Sequence, residues 1–204
     1  MSESAVPEPV KRRRGGMHHV GVATGDYDAT VDFYTRVMDW EIAWQEIWAT
    51  DDGVEILRHV FFDTGAGELF AFMCPTPAMK EMPSSWPTDI NSGLGVEPNV
   101  YHFAFWADSV EELEERQAEL RSRGAVVTEV NDHGWCSSIY FRDPNGLMLE
   151  YCATTRELTA DDKILKVRYQ PGVLAYLERP ELMARDAEVM GVPVELPAPE
   201  TVER

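Results

Sequence analysis

The sequence predicts an α+β fold in which two successive βαβββ modules pair to form one domain, followed by a C-terminal extension. Three observations carry this. A strand, a helix and three further strand-like runs occur in that order twice along the chain. The segments HVGVATGDYDATVDFY at 19–34 and HFAFWADSVEELEERQ at 102–117 run parallel, each opening with a His, an apolar residue and a small one. Hydrophobic residues make up 44% of the 204, enough for an ordinary core. Neither module can bury its sheet alone, so the two are expected to close one core.

Residues 1–16 read as a disordered tail. Its Lys11-Arg12-Arg13-Arg14 run is expected to be solvated on so acidic a chain. Module one is placed at 17–75. Met17–Ala23 alternates as a strand, with His19, Gly21 and Ala23 on one face and His18, Val20 and Val22 on the other. Asp26–Val37 has helical spacing, with Asp26 or Asp28 as cap. Strands follow at Glu41–Ile47, Glu55–Asp63 and Glu68–Met73. The stretch Cys74–Pro98 is rich in Pro, Ser, Gly and Asn and reads as a loop, with 76–98 as the linker between modules. Module two is placed at 99–155. Val100–Trp106 is a strand, and Ser109–Arg123 is a helix with a Ser109/Glu112 capping box and Gly124 closing it. Strands are expected at Val126–Val130, Ser138–Phe141 and Leu147–Cys152. Residues 156–204 break the pattern. Leu177–Val189 has helical spacing, and the extension is expected to wrap the domain or cover the site.

The net charge of −18 argues against nucleic-acid or anionic-membrane partners. Cys74, Cys136 and Cys152 form no disulfide framework, so reduced thiols in the cytoplasm are the simplest expectation. No secretory leader and no membrane span is expected. A homo-oligomeric state is compatible with the composition.

The chemistry concentrates in Asn131–Glu150, NDHGWCSSIYFRDPNGLMLE. Asp143-Pro144-Asn145-Gly146 suits a tight reversal between two strands. A plain four-residue turn would set Ile139 opposite Glu150. A bulge at Asn145-Gly146 would set Tyr140 there instead. His19 and His102 hold matching positions in the two modules, each followed two residues on by a small residue, Gly21 or Ala104. Two imidazoles and one carboxylate, His19, His102 and Glu150, make a set that suits iron(II) and leaves positions open for other ligands. His18 points to the opposite face and is set aside.

Residues 17–155 resemble the vicinal oxygen chelate superfamily, whose paired βαβββ modules hold a metal on the first strand of each module and the last strand of the second. The resemblance implies His19, His102 and Glu150 as ligands. Within it, the stretch 131–150 is similar to the signature of extradiol ring-cleaving dioxygenases through His133, Tyr140, Pro144, Gly146 and Glu150. That likeness implies Fe(II), with Mn(II) as the alternative ion, an aromatic catechol-like substrate and O2. His133 and Tyr140 would donate to the substrate or to developing oxygen charge.

Two departures stand out. Those dioxygenases usually carry a further acid/base His before the last strand of their first module, where this chain has Gly65-Ala66-Gly67-Glu68. Glu68 or His59 are the substitutes at hand. Two-domain members also have a second pair of modules. The resemblance therefore also admits a glyoxalase- or epimerase-like lyase or isomerase, a fosfomycin-type thiol transferase, and a non-enzymatic drug-binding protein. The lyases call for a fourth ligand at the position of Ala71, which cannot bind metal. The transferases act on phosphonates and would favour cations, mainly Arg58 and Arg142 here. The aromatics Trp44, Trp48, Phe70, Phe72 and Trp135 suit a flat apolar ligand or a core.

Overall fold

The computed structural model describes residues 16–80, 83, 85–164 and 189. The expected tail, apart from Gly16, and the helix expected at 177–189, apart from Val189, lie outside them. Strand β1 (His19–Ala23) leads into α1 (Tyr27–Asp32), where the Asp26 carboxylate accepts from the Ala29 N–H at 3.0 Å as the N-cap. The helix continues through a π-helical turn, Phe33–Val37, in which the Met38 N–H reaches back to the Phe33 carbonyl. Strands β2 (Glu41–Ala49), β3 (Glu55–Asp63) and β4 (Leu69–Pro75) complete module one. Among its described residues the linker contains one short helix, α2 (Ile90–Leu94), where a continuous loop was expected.

Module two runs β5 (Phe103–Ala107), α3 (Val110–Ser122), β6 (Asn131–Asp132), β7 (Cys136–Arg142) and β8 (Met148–Thr154). The sheets have the same plan, β1-β4-β3-β2 and β5-β8-β7-β6, with β1 parallel to β4 and β5 parallel to β8. Two expectations are corrected here. The strand expected at Val126–Val130 is reduced to a single bridge, Val127 to Phe141, and the pairing passes to the two-residue β6. The capping box of α3 is shifted. The Ser109 hydroxyl accepts from the Glu112 N–H, but the Glu112 carboxylate reaches the Asp108 N–H rather than that of Ser109.

The β7–β8 hairpin takes the bulged form. Arg142 pairs with Met148 and Tyr140 with Glu150. The Gly146 N–H donates to the Asp143 carbonyl at 3.0 Å, and Gly146 has a φ of 81°, a left-handed backbone that glycine adopts freely. The Asp143 carboxylate accepts from the Asn145 and Leu147 N–H groups at 2.9 and 2.8 Å, so this turn is tied from inside.

One core spans both modules. Tyr34 stacks on Phe62 with ring centroids 5.1 Å apart, and Trp40 meets Phe105 of module two edge-on at 4.8 Å. Phe70 packs against both Phe103 and Phe105. The alternation that sends Val60, Phe62, Phe70 and Phe72 into this core sends His19, Phe61 and Ala71 to the opposite face of the sheet. A buried polar junction joins the modules as well. The Thr24 hydroxyl donates to Asn145 Oδ1 at 2.7 Å, Asn145 Nδ2 donates to Thr30 Oγ1 at 3.1 Å, and the Tyr34 hydroxyl donates to Asp143 Oδ2 at 3.2 Å. The hairpin turn of module two is thus seated in the base of module one. Burial holds the Asp143 carboxyl above the ordinary carboxylate range, against the hydrogen bonds from Asn145, Leu147 and Tyr34 that pull it down.

Candidate metal centre

Glu150 sits in the middle of β8, buried, with Ala104 of β5 on one side and Tyr140 of β7 on the other. His102 lies one residue before β5. Its Nε2 is 3.1 Å from Glu150 Oε2, and its Nδ1 is 3.0 Å from the Asn99 carbonyl. A carbonyl only accepts, so Nδ1 carries the proton and donates to it. Nε2 then faces the carboxylate, as a second N–H of a protonated ring or as the lone pair of a neutral one. Two lone pairs at that separation need a proton or a metal cation between them. Fixing the other ring nitrogen on a carbonyl is also how a metal-binding imidazole is oriented. His102 and Glu150 therefore fit as two ligands of one ion.

Around this pair the turn-defined register gathers more polar groups. The Tyr140 hydroxyl lies 3.0 Å from His133 Nε2. Burial, followed by the nearby Glu150 charge, pushes the Tyr140 phenol well above its ordinary value, so it remains a hydrogen-bond donor at any physiological pH. The Ser138 hydroxyl donates to Glu150 Oε1. The sequence reading overlooked Ser138 and Asn99. Ser138 shares a face of β7 with Tyr140, so the register, once known, identifies it. Asn99 contributes only a backbone carbonyl and left no residue-type signal.

His19 occupies the corresponding face of module one. Its ring contacts His18, with the two Nδ1 atoms 2.8 Å apart, and Phe61, with centroids 5.4 Å apart. Among the described residues, no group of three His, Cys, Asp or Glu side chains is placed to hold a metal ion. The structure thus brings together His102, Glu150, Tyr140 and His133, and leaves His19 with different neighbours. His59 stands on the same face as His19, its Nδ1 3.4 Å from Glu46 Oε1 and its ring 4.3 Å from that of Phe61. Ala71 pairs with Gly21 and Phe61 as Glu150 pairs with Ala104 and Tyr140, so Ala71 stands in the equivalent place.

A cavity of about 880 Å³ opens on the core side of β5, reaching His102 at its edge and lined by Trp40, Phe70, Phe103, Phe105 and Tyr151 and by Asp39, Glu41, Asp108 and Glu112; Glu150, Tyr140 and His133, on the other face of the sheet, do not line it. Its size lies within the range of small-molecule sites. Of the aromatics that suited either a ligand or a core, Phe70 and Phe72 are core, whereas Trp44, Trp48 and Trp135 are exposed. Arg142, on the Tyr140 face of β7, donates through Nε to the carbonyl of the buried Val189, so the chain at that point of the extension meets this side of the sheet. Among the described residues, no helix is long and apolar enough to cross a membrane.

The paired modules and the site built on them define a class. Residues 16–151 match the Glyoxalase/Bleomycin resistance protein/Dioxygenase superfamily, and the chain belongs to it. It is 24% identical over 148 residues to a 3-methylcatechol 2,3-dioxygenase of Pseudomonas putida, an alignment covering 71% of this chain and 44% of that enzyme. The chain thus spans less than half of that relative. A glyoxalase/bleomycin resistance protein/dioxygenase domain from Frankia sp. shares the fold, with a TM-score of 0.52, 18% identity and coverage of 69% of this chain and 98% of that one. A lactoylglutathione lyase from Agrobacterium tumefaciens aligns at a TM-score of 0.46 with 20% identity, over 70% of this chain and 96% of its own.

Proposed function

We propose that the chain is a non-haem Fe(II) dioxygenase of the extradiol type, opening a catechol-like aromatic ring with O2, the metal being held by His19, His102 and Glu150. Mn(II) is the alternative ion. The observation that carries this reading is the His102–Glu150 pair, 3.1 Å apart with the other imidazole nitrogen 3.0 Å from a carbonyl, next to the hydrogen-bonded Tyr140–His133 pair. The likeness to a catechol dioxygenase over most of the chain adds to it. Bound there, Fe(II) would supply the adjacent positions at which a chelating diol and O2 meet.

The protein's own groups then have distinct tasks. Tyr140, kept protonated, donates to an oxygen of the bound diol. His133 takes or returns the proton of a diol hydroxyl, directly or through the Tyr140 hydroxyl. His19 would be the third ligand, by its place at the start of module one that matches His102 in module two. The rival chemistries have weaker support. Ala71 provides no fourth ligand for a lyase, and the cations a phosphonate site would use are engaged, Arg58 with Glu55 and Arg142 with Asp89.

The test is oxygen uptake by anaerobically purified, Fe(II)-loaded protein offered a panel of catechols. Catechol-dependent consumption of O2 is expected. Metal-loaded protein that consumes no O2 with any member of the panel would overturn the reading.

A further inference from the structure

We propose that the cavity between the two modules is a second small-molecule site, one that takes a ring-bearing amine as its cation. The proposal is independent of the metal centre, which lies on the other face of the sheet. The floor of the cavity is aromatic. Trp40 meets Phe105 edge-on, and Phe105 lies beside its strand partner Tyr151, with ring centroids 6.1 Å apart. Tyr151 is only 4% exposed, and its hydroxyl accepts from the Trp40 indole N–H, since an indole only donates. The proton of that hydroxyl has no acceptor among the described residues. A buried donor is therefore left at the cavity wall for the polar atom or ring face of a ligand.

The rim is acidic. Asp39, Glu41, Asp63, Glu68, Asp108 and Glu112 line the cavity, and among the described residues Arg116 is the one Lys or Arg that does. Asp39 is engaged with Arg123, Asp63 with the Gly65 N–H, and Glu112 with Arg116 and the Asp108 N–H. The carboxylates of Glu41, Glu68 and Asp108 have no hydrogen-bond or ion-pair partner among the described residues. Like charges around an apolar floor repel one another and favour a cation at its mouth. The fold itself shows how a cation lies on this wall. The Arg116 guanidinium sits 5.6 Å from the centre of the Tyr151 ring while paired with Glu112 and Glu119, so an aromatic face and carboxylates hold it together. A volume of about 880 Å³ accommodates a ring with its amine side chain. An anionic ligand would meet the opposite field.

The experiment titrates the full-length protein calorimetrically with three probes of one shape. These are phenethylamine, a cation at neutral pH, 2-phenylethanol, which is neutral, and 3-phenylpropionate, an anion. Phenethylamine is expected to bind about tenfold more tightly than 2-phenylethanol, the scale of a hydrogen bond to a charged group, and 3-phenylpropionate to bind most weakly. Combining Glu41→Gln, Glu68→Gln and Asp108→Asn changes rim side chains alone and is expected to bind the amine and the alcohol alike. Phe105→Leu, which keeps the apolar bulk, is expected to lose about threefold in amine affinity. Glu150→Ala is expected to bind the amine as the wild type does. Failure of phenethylamine to bind, or equal wild-type affinity for it and 2-phenylethanol, overturns the proposal. Loss of binding in Glu150→Ala also overturns it, by putting the amine on the metal-centre face. So does amine binding that appears only when Lys11, Arg12, Arg13 and Arg14 are all changed to Gln, which would give the cavity to the chain's own basic run, a few residues before the lining residue Met17. Oxygen uptake is not the readout, so this proposal and the dioxygenase reading fail separately.

Discussion

In module one, Gly21, Ala71 and Phe61 lie side by side across β1, β4 and β3. In module two, the same three places are held by Ala104, Glu150 and Tyr140. The strands, their order and their register agree, but the chemistry does not. Ala71 is fully enclosed and puts a methyl where module two has a carboxylate, and a Cβ added at Gly21 would come to 3.5 Å from the Met73 side chain. Module two surrounds its carboxylate with Ser138, Tyr140 and His102. A buried carboxylate is tolerable only where donors or a cation satisfy it. The difference teaches that a βαβββ module is a cradle of fixed geometry, and that its use is decided by whether the strand neighbours can support a charge at its centre.

Removing that charge should have the largest effect. Glu150→Ala is expected to lower bound iron about tenfold or more and abolish turnover, with metal content read by elemental analysis of anaerobically loaded protein. Full iron occupancy in this variant would break the contrast between the modules. Next come the groups around the carboxylate. Tyr140→Phe and His133→Ala should keep the metal and slow oxygen uptake by about 10²–10⁴-fold, the range for a lost acid/base group. Wild-type rates in both would leave their hydrogen bond a merely structural one.

The comparison can also be pushed the other way by giving module one a carboxylate. Ala71 faces the His19 side of its sheet, so Ala71→Glu should add a ligand near His19, retain or raise metal affinity, and suppress O2-dependent turnover. Without metal, the buried and unpartnered carboxylate should lower stability by about 1–3 kcal/mol. Thermal melts with and without Fe(II) read this out. A variant that melts early and gains nothing from iron would show that position 71 is not a latent ligand site.

The smallest effects concern the junction. Asn145→Ala removes partners from Thr24 and Thr30 and should cost about 1–3 kcal/mol in urea unfolding. Asp143 should make that stability pH-dependent. Its folded-state value lies above the ordinary 3.8, so its stabilising contribution is complete below 3.8 and is lost as pH rises through the raised value. Asp143→Asn should flatten that slope, and parallel pH profiles for variant and wild type would contradict it.

Much of the fold could be read from local signals. The repeat at 19–34 and 102–117, the Asp26 and Ser109 caps and the DPNG turn each depend on residues a few positions apart. The residue facing Glu150 was not fixed locally: the sequence leaves two registers open, and the structure takes the one with the bulge at Asn145-Gly146. What stayed hidden depends on distant partners. Val126–Val130 has strand-like residues, yet only Val127 finds a bridge because the pairing edge of β7 is taken further along by β6. The ring of His19 rests on its neighbour His18 and on Phe61, two strands away, which alternation along β1 does not reveal. Ser138 resembles any small strand residue until β8 is aligned beside it.

The seating of the hairpin turn in module one also has a kinetic consequence. Residues 24, 30 and 34 are joined to 143 and 145 across sequence separations of 121, 115 and 109 residues. Contacts so far apart must wait for long loops to close, and a topology rich in them folds slowly. A chain emerging from synthesis must leave Thr24 and Thr30 without these partners until almost all of both modules exists. The turn that seats there also sets which β7 residue faces Glu150. Assembly of the site and joining of the modules should therefore share one slow phase, so Asn145→Ala should delay the recovery of metal binding during refolding along with the recovery of structure.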